Sequence, residues 1–434
     1  VGDLPIFPQR KQLNGSCALM NAKAPPIREE TRKRCVVVPL NDGLSQKLSP
    51  VSLEHFHFLY DVQKIDFSLF VTVEDWLVEF IKPKEFSREL LDEIWAACLK
   101  PKGSFRVCLW KQDKPKFEAV INQVRSKKLA RLVAYVPHMD KKTVDLYNNL
   151  SASSQLVVNG GIDEEVVARV RASASLLVSS VIDSQAALYT LSKMITCDPT
   201  LYDHSASVAM LCSIICNQMV DKPMSEKEVM LVAECGLFHD AGKTCVPSEV
   251  LNKPGKLTPE EFDEIKKHTV YGRDELTKSK STGAPIDDMV LRVAYEHHEK
   301  FNGRGYPEGR KGRLESDADK GIHLYSRICM IADVYSALLM KRVYKEAFEP
   351  GQALKIMIEN NDDYDPVVFK PFVGMVVESV KKFQNMPAPQ NTLNYEKEAK
   401  GKIIQLDGSK SLSESLREKE AAETQSAPPA RKGA

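Results

Sequence analysis

Asp333 stands inside ICMIADVYSALL, a segment apolar on nearly every helical face, and a carboxylate so placed must meet a cation or strong donors if the chain is to fold. Five of the nine histidines make the same demand. His204 shares a helical stripe with Val208, Leu211 and Ile215, and His268 follows Phe262 and Ile265 on one face of its helix. His297 and His298 continue the stripe Val290, Val293, Ala294, while His239 and Asp240 close an apolar helix just before the breaker Gly242. One histidine on an apolar face is usually a satisfied core residue. Five of them beside two aspartates would be costly to desolvate unless they shared bound cations, so a buried metal cluster is expected.

The ligand types narrow the ion. Imidazole and carboxylate, with no cysteine at a matching position, suit iron, manganese, nickel or zinc better than a structural thiolate site. The two oxygens of Asp240 allow it to bridge two ions. Two ions roughly 3.5–4 Å apart can hold a hydroxide between them and stabilise both attacking and leaving oxygens at phosphorus, so the expected chemistry is phosphoester hydrolysis.

At 434 residues the chain exceeds what one core usually organises. Residues 1–32 are polar and proline-bearing and read as an arm. Residues 33–155 mix β-type runs (CVVVPL, IDFSLFVTV, FRVCLW, LARLVAYVP) with helical spacing at Leu91, Ile94, Trp95 and Cys98, which predicts an α/β regulatory or sensory domain. Across 160–198, the positions Val167, Val170, Ala174, Leu177, Val181, Ser184, Leu188, Leu191 and Ile195 keep alternating spacings of three and four. Two readings fit them equally: a coiled-coil seam that dimerises the chain through 167–195, or a helix packed on its own catalytic domain. Residues 199–385 read as helical, with capping boxes at Ser225/Glu228 and Thr258/Glu261. The tail 386–434 is too polar to bury a core and is expected to be disordered. The expected fold class is α+β and multidomain: an N-terminal α/β domain, an all-α helical bundle and a disordered C-terminal tail.

Lys+Arg 60 against Asp+Glu 59 leaves a net charge of +1, so no global field would draw the protein to a nucleic acid polymer or anionic lipid. The sequence has neither the apolar core of a signal peptide near Val1 nor a stretch approaching the ~20 residues of a membrane span, and a cytoplasmic protein is expected. The ten cysteines are scattered without CxxC pairs and read as reduced, mostly buried thiols.

GLFHDAGKTCVPSEVLNKPGKLTPEEFDEIKKHTVYG, followed by HHEKFNGRGYPEG and SRICMIADVYSALLMKRVYKEAF, closely resembles the HD-GYP subgroup of the HD phosphohydrolases over roughly residues 200–384. A lone HD dipeptide says nothing. The ordered set of H, HD-x-GK, NKPGKL, H, HHE, GYP and IAD is specific. The resemblance implies an all-helical, bacterial, metal-dependent phosphodiesterase that opens cyclic di-GMP to linear pGpG with a metal-bridging hydroxide. It implies two divalent transition-metal ions, iron or manganese before nickel or zinc. One would be held by His204, His239, Asp240 and Asp333, the other by Asp240, His268, His297 and His298. Lys243 would contact the scissile phosphate, and Tyr306, Arg342 and Lys345 the dinucleotide. A diguanylate cyclase is a partner the family suggests.

This sequence departs from the family pattern in four places. Thr200 stands where three-metal members carry a glutamate, Asn302 and Ser336 replace aspartates, and the stretch from Pro307 to Arg327 is longer, with His323 in place of a proline. Two rival readings follow: a catalytically weak HD-GYP domain that serves as a nucleotide-binding or protein-interaction module, or a phosphodiesterase for another cyclic dinucleotide.

Overall fold

The computed structural model describes residues 35–384, apart from 52–55, 74–75, 99–105, 137, 181–183, 198–202, 220–222, 252–255, 313–320 and 341–347. The expected arm and tail lie outside the described residues, as do Thr200, Asn252, Lys253, Arg342 and Lys345.

Five short strands, β1 (Val36–Pro39), β2 (Leu48–Pro50), β3 (Leu69–Val73), β4 (Trp76–Ile81) and β5 (Arg106–Trp110), form one sheet in the order β1-β4-β3-β5-β2. Every pairing is antiparallel, with Val36 opposite Glu79 and Phe70 opposite Cys108. The N-terminal part therefore departs from the expected α/β arrangement, whose parallel strands need helical crossovers. Alternation along the strands divides the side chains. Leu69, Val71, Val107 and Leu109 join the main core, while Phe70, Leu77 and Cys108 join Leu48 in a smaller cluster on the other face.

Helix α1 (Arg88–Cys98) follows β4, and α2 (Lys114–Tyr135) follows β5. Residues 129–135 of the run LARLVAYVP, expected as a strand, form the last turns of α2. Its Leu and Val content suits either state, but Phe117, Ile121, Val124, Leu129, Leu132 and Val136 are buried at helical spacing. The strand β4, with its apolar Leu77, Val78, Phe80 and Ile81, was not among the expected runs.

The rest is helical: α3 (Lys141–Gly160), α4 (Glu164–Ser179), α5 (Ser184–Cys197), α6 (His204–Asn217), α7 (Glu226–Phe238), α8 (Pro259–Lys266), α9 (His268–Ser281), α10 (Asp288–Glu296), α11 (Leu324–Leu339), α12 (Pro350–Glu359) and α13 (Pro366–Gln384). The capping boxes at Ser225/Glu228 and Thr258/Glu261 are formed and start α7 and α8. Helix α6 packs on α7 and α11, and these three form the centre of the bundle.

The periodic stripe over 167–195 is divided between α4 and α5. Val167, Val170, Ala174, Leu177, Leu188 and Leu191 are buried within the chain, α4 against α3 and α7 and α5 against α13. An apolar stripe covered this way is satisfied by intrachain packing, the second of the two readings. The expected boundary near 155 falls inside α3, which packs on α4 and α6. Its Tyr147 hydroxyl and Ser151 Oγ both bond Asp203, the N-cap of the helix that begins with His204. Helix α3 is thus part of the bundle. Among the described residues no helix is long and apolar enough to cross a membrane.

Candidate metal centre

Seven side chains converge from five helices because helix ends and one mid-helix position meet at the bundle centre. His204 opens α6, His239 caps the C-terminus of α7, and Asp240 begins the 3-10 turn Ala241–Cys245 that carries Lys243. His268 opens α9, His297 caps α10 with His298 next to it, and Asp333 lies in the middle of α11. Gly242 permits the closest approach. A Cβ there would lie 2.0 Å from the carbonyl oxygen of His268, so only glycine lets the 3-10 turn press onto the start of α9.

The ligand atoms fall into two groups. Those of His204, His239 and Asp240 lie within 4.8 Å of one another, and so do those of His268, His297 and His298. Asp240 faces both. Its Oδ2 lies 3.6 Å from His204 Nε2 and 3.3 Å from His239 Nε2, whereas its Oδ1 lies 3.4 Å from His268 Nε2 and 3.8 Å from His297 Nε2. Asp333 sits across from it, with Oδ1 3.0 Å from His204 Nε2 and Oδ2 3.7 Å from His298 Nδ1.

The ring orientations suit cations. His239 Nδ1 donates to the Gly236 carbonyl at 2.8 Å, His268 Nδ1 to that of Ile265 at 2.7 Å, and His297 Nδ1 to that of Ala294 at 3.0 Å. A carbonyl only accepts, so a proton sits on Nδ1 of each ring and Nε2 turns inward. His239 Nε2 and Asp240 Oδ1 are buried without a hydrogen-bond partner. Two buried polar atoms left without a partner at the focus of such a donor set fit the metal cluster expected from the sequence.

Electrostatics agree. Burial holds His204, His268 and His297 below the ordinary imidazole value and takes His298 down to about 3; Asp333 opposes this only in part at His204 and His298, and Asp240 only in part at His268 and His297. These rings are neutral, as ligands must be. Burial also disfavours charge on His239, but Asp240 beside it outweighs that and pushes the ring up to about 10. Burial works against both carboxylates, yet His239 and Lys243 hold Asp240 ionised, and the hydrogen bond from His204 does the same for Asp333. Two ionised carboxylates facing the neutral rings of His204, His268, His297 and His298 attract a cation, and His239 would give up its Nε2 proton to serve as a ligand beside them. Lys243 Nζ rests on Asp240 Oδ2. The Tyr306 ring stacks on His298 with centroids 4.7 Å apart and planes inclined by 30°.

Around the site, Glu296 and Glu299 went unremarked in the sequence, and Ser336 was noted only as a replacement for an aspartate. Ser336 Oγ lies 2.9 Å from His204 Nδ1, one turn beyond Asp333. Glu299, almost fully buried, accepts the backbone N–H groups of Glu308 at 2.7 Å and Arg310 at 2.8 Å, and so shapes the loop that carries Tyr306. Glu296, equally buried, accepts from Arg292 Nε at 2.9 Å, Arg310 Nη1 at 2.8 Å and Ser326 Oγ at 2.9 Å, joining α10 to α11. A glutamate on each side of HH in an otherwise apolar stripe was the available signal. Asn302 also finds its reason: its Nδ2 donates to Asp363 at 2.7 Å and Asp362 at 3.2 Å, where an aspartate would add a third carboxylate. His323 caps α11, its Nδ1 accepting from the Tyr325 N–H at 3.2 Å.

Residues 190–368 match the family model described as an HD domain. The chain is 34% identical over 198 residues to a cyclic di-GMP phosphodiesterase of Pseudomonas aeruginosa, covering 46% of this chain and 44% of that protein. It is 38% identical over 131 residues to a cyclic di-GMP phosphodiesterase response regulator of Xanthomonas campestris pv. campestris, covering 30% and 32%. It is 32% identical over 164 residues to a 3'3'-cGAMP-specific phosphodiesterase of Vibrio cholerae, covering 38% and 29%. The matching segment is an HD domain, the feature this chain shares with these cyclic dinucleotide phosphodiesterases. The chain spans less than half the length of each of these relatives.

Proposed function

We propose that this protein is a two-metal phosphodiesterase that hydrolyses cyclic di-GMP to linear pGpG. The observation that carries the reading is Asp240, one carboxylate whose two oxygens face two separate groups of imidazoles. His204, His239, Asp240 and Asp333 would hold one ion and Asp240, His268, His297 and His298 the other; the donor set suits iron, manganese, nickel or zinc, and the resemblance to the HD-GYP subgroup places iron or manganese first. Bound there, such ions supply an activated water and offset charge on the attacking and leaving oxygens of an in-line displacement at phosphorus.

The chain's own groups do the rest. Lys243, free to leave Asp240 once cations neutralise that carboxylate, donates to a phosphate oxygen beside the scissile bond. Tyr306, packed on His298 at the rim, orients the nucleotide. A neutral Thr200, in place of a carboxylate, limits the centre to two ions, and pGpG leaves before a second cleavage. Relatives with 3'3'-cGAMP-specific activity make another cyclic dinucleotide the second reading for the substrate.

The test is product analysis with cyclic di-GMP and 3'3'-cGAMP side by side in Fe(II) or Mn(II), with metal content measured on the same sample. Two metals per chain and accumulating pGpG are expected. A fully loaded protein that leaves both substrates intact refutes the reading.

A further inference from the structure

Phe262 shares the helical stripe that leads to His268, a pattern that predicts a ring turned into the core. It is instead 48% exposed. A single exposed aromatic is ordinary; its neighbours are not. Lys266, one turn on in α8, places its Nζ 4.8 Å from the Phe262 ring centroid and 6.0 Å from that of Tyr306. Tyr306 stacks on His298, which faces Asp333. The order Phe262, Lys266, Tyr306, His298 therefore runs from solvent to the metal centre as aromatic, cation, aromatic, imidazole. Capping fixes its outer end, because Thr258 and Glu261 close the first turn of α8 around the residue before Phe262. Lys266 is restrained by Asp263 at 2.8 Å and keeps its ammonium partly exposed.

A cyclic dinucleotide presents two purines flanking a ring of two phosphates. A phosphate at the metal centre leaves one base directed toward the rim, where a flat apolar surface and a nearby cation are the complementary groups. We propose that Phe262 and Lys266 form a purine platform: the Phe262 ring stacks on one base of the substrate, and the Lys266 ammonium faces the adjoining phosphate. This specificity-determining role rests on the proposed cyclic dinucleotide activity.

The experiment uses the full, metal-loaded chain. Stacking on an aromatic side chain contributes about 1–3 kcal/mol per base, so Phe262→Ala should raise KM for cyclic di-GMP roughly 5- to 150-fold with a smaller change in kcat. Phe262→Trp should restore KM, and its added fluorescence should be quenched by cyclic di-GMP. Phe262→Leu, apolar but without a π face, should not restore it. The preference for cyclic di-GMP over bis(p-nitrophenyl) phosphate, which lacks a purine, should fall at least fivefold in Phe262→Ala. A KM unchanged in Phe262→Ala, rescue by leucine, or an equal loss on both substrates overturns the platform and leaves the phosphodiesterase reading standing. A wild-type chain that cleaves neither cyclic dinucleotide instead refutes the activity, and the platform with it.

Discussion

Replacing Gly242 by alanine tests whether the metal centre depends on two segments meeting without a side chain between them. The new Cβ would lie 2.0 Å from the His268 carbonyl oxygen, 2.3 Å from Gly272 N and 2.8 Å from Gly272 Cα. All three are backbone atoms and cannot rotate away. Opening the shortest contact to 3.0 Å, below which Cβ contacts essentially never occur, moves the 3-10 turn and α9 apart by at least 1.0 Å. That motion separates Asp240 Oδ1 from His268 Nε2, now 3.4 Å apart, whereas metal–ligand distances hold to about 0.2 Å. Overpacking of this kind costs about 1–3 kcal/mol, and a displacement near 1 Å can lower turnover by about 100-fold. Elemental analysis and thermal melts of the purified variant should show fewer metals per chain and a lower Tm. Gly374→Ala is the control. It lies exposed in α13 with nothing within 4 Å of its new Cβ, so it should keep its metals and gain about 0.5–1 kcal/mol. A Gly242→Ala protein with full metal and wild-type turnover would falsify the argument.

Lys243→Ala should retain its metals by elemental analysis while turnover drops about 100- to 1000-fold, the loss typical of removing one donor to a developing charge; an unchanged rate would make Lys243 structural. Arg171→Leu should leave Glu234, 1% exposed, without the guanidinium that now contacts both its oxygens at 3.2 Å. Burial already raises the Glu234 pKa and Arg171 opposes it, so the folded variant binds this proton more tightly than the unfolded chain. Its contribution is then present at low pH and lost as pH rises through the folded pKa. Loss of the ion pair should cost up to roughly 3–5 kcal/mol at pH 7.5, less solvent screening at the half-exposed Arg171, and part should return at pH 5; urea unfolding with equal losses at both pH values contradicts this. A fragment beginning at residue 138 should unfold cooperatively and bind metal. One beginning at 161, which lacks the Tyr147 and Ser151 bonds to Asp203, should not, and a metal-loaded 161–384 fragment would show that α3 is dispensable.

The sequence by itself determined the ingredients of the site. A carboxylate in ICMIADVYSALL and imidazoles at the ends of apolar stripes carry a desolvation demand that holds in any fold burying those stripes, so Asp333, His204, His239, His268, His297 and His298 were legible as a group. Helix starts were equally local, since a capping box needs only Ser225 with Glu228 or Thr258 with Glu261. The N-terminal sheet was less legible. Leu, Val and Tyr in LARLVAYVP fit strand or helix, and only packing of Leu129, Leu132 and Val136 against the core decided for α2. The stripe over 167–195 had the same ambiguity, because an a/d seam looks alike whether its partner is another chain or α3, α7 and α13 of the same one. Phe262 belonged to an apolar stripe by spacing, but the helix is interrupted: α8 ends at Lys266 with no buried residue, and His268 opens α9. Tertiary structure alone set which oxygen of Asp240 faces which imidazoles, and that Ser336, Glu296 and Glu299 steady the site. Such facts depend on helices brought together across up to 132 residues of chain, as His204 and Ser336 are, and no local pattern records a distance of that kind.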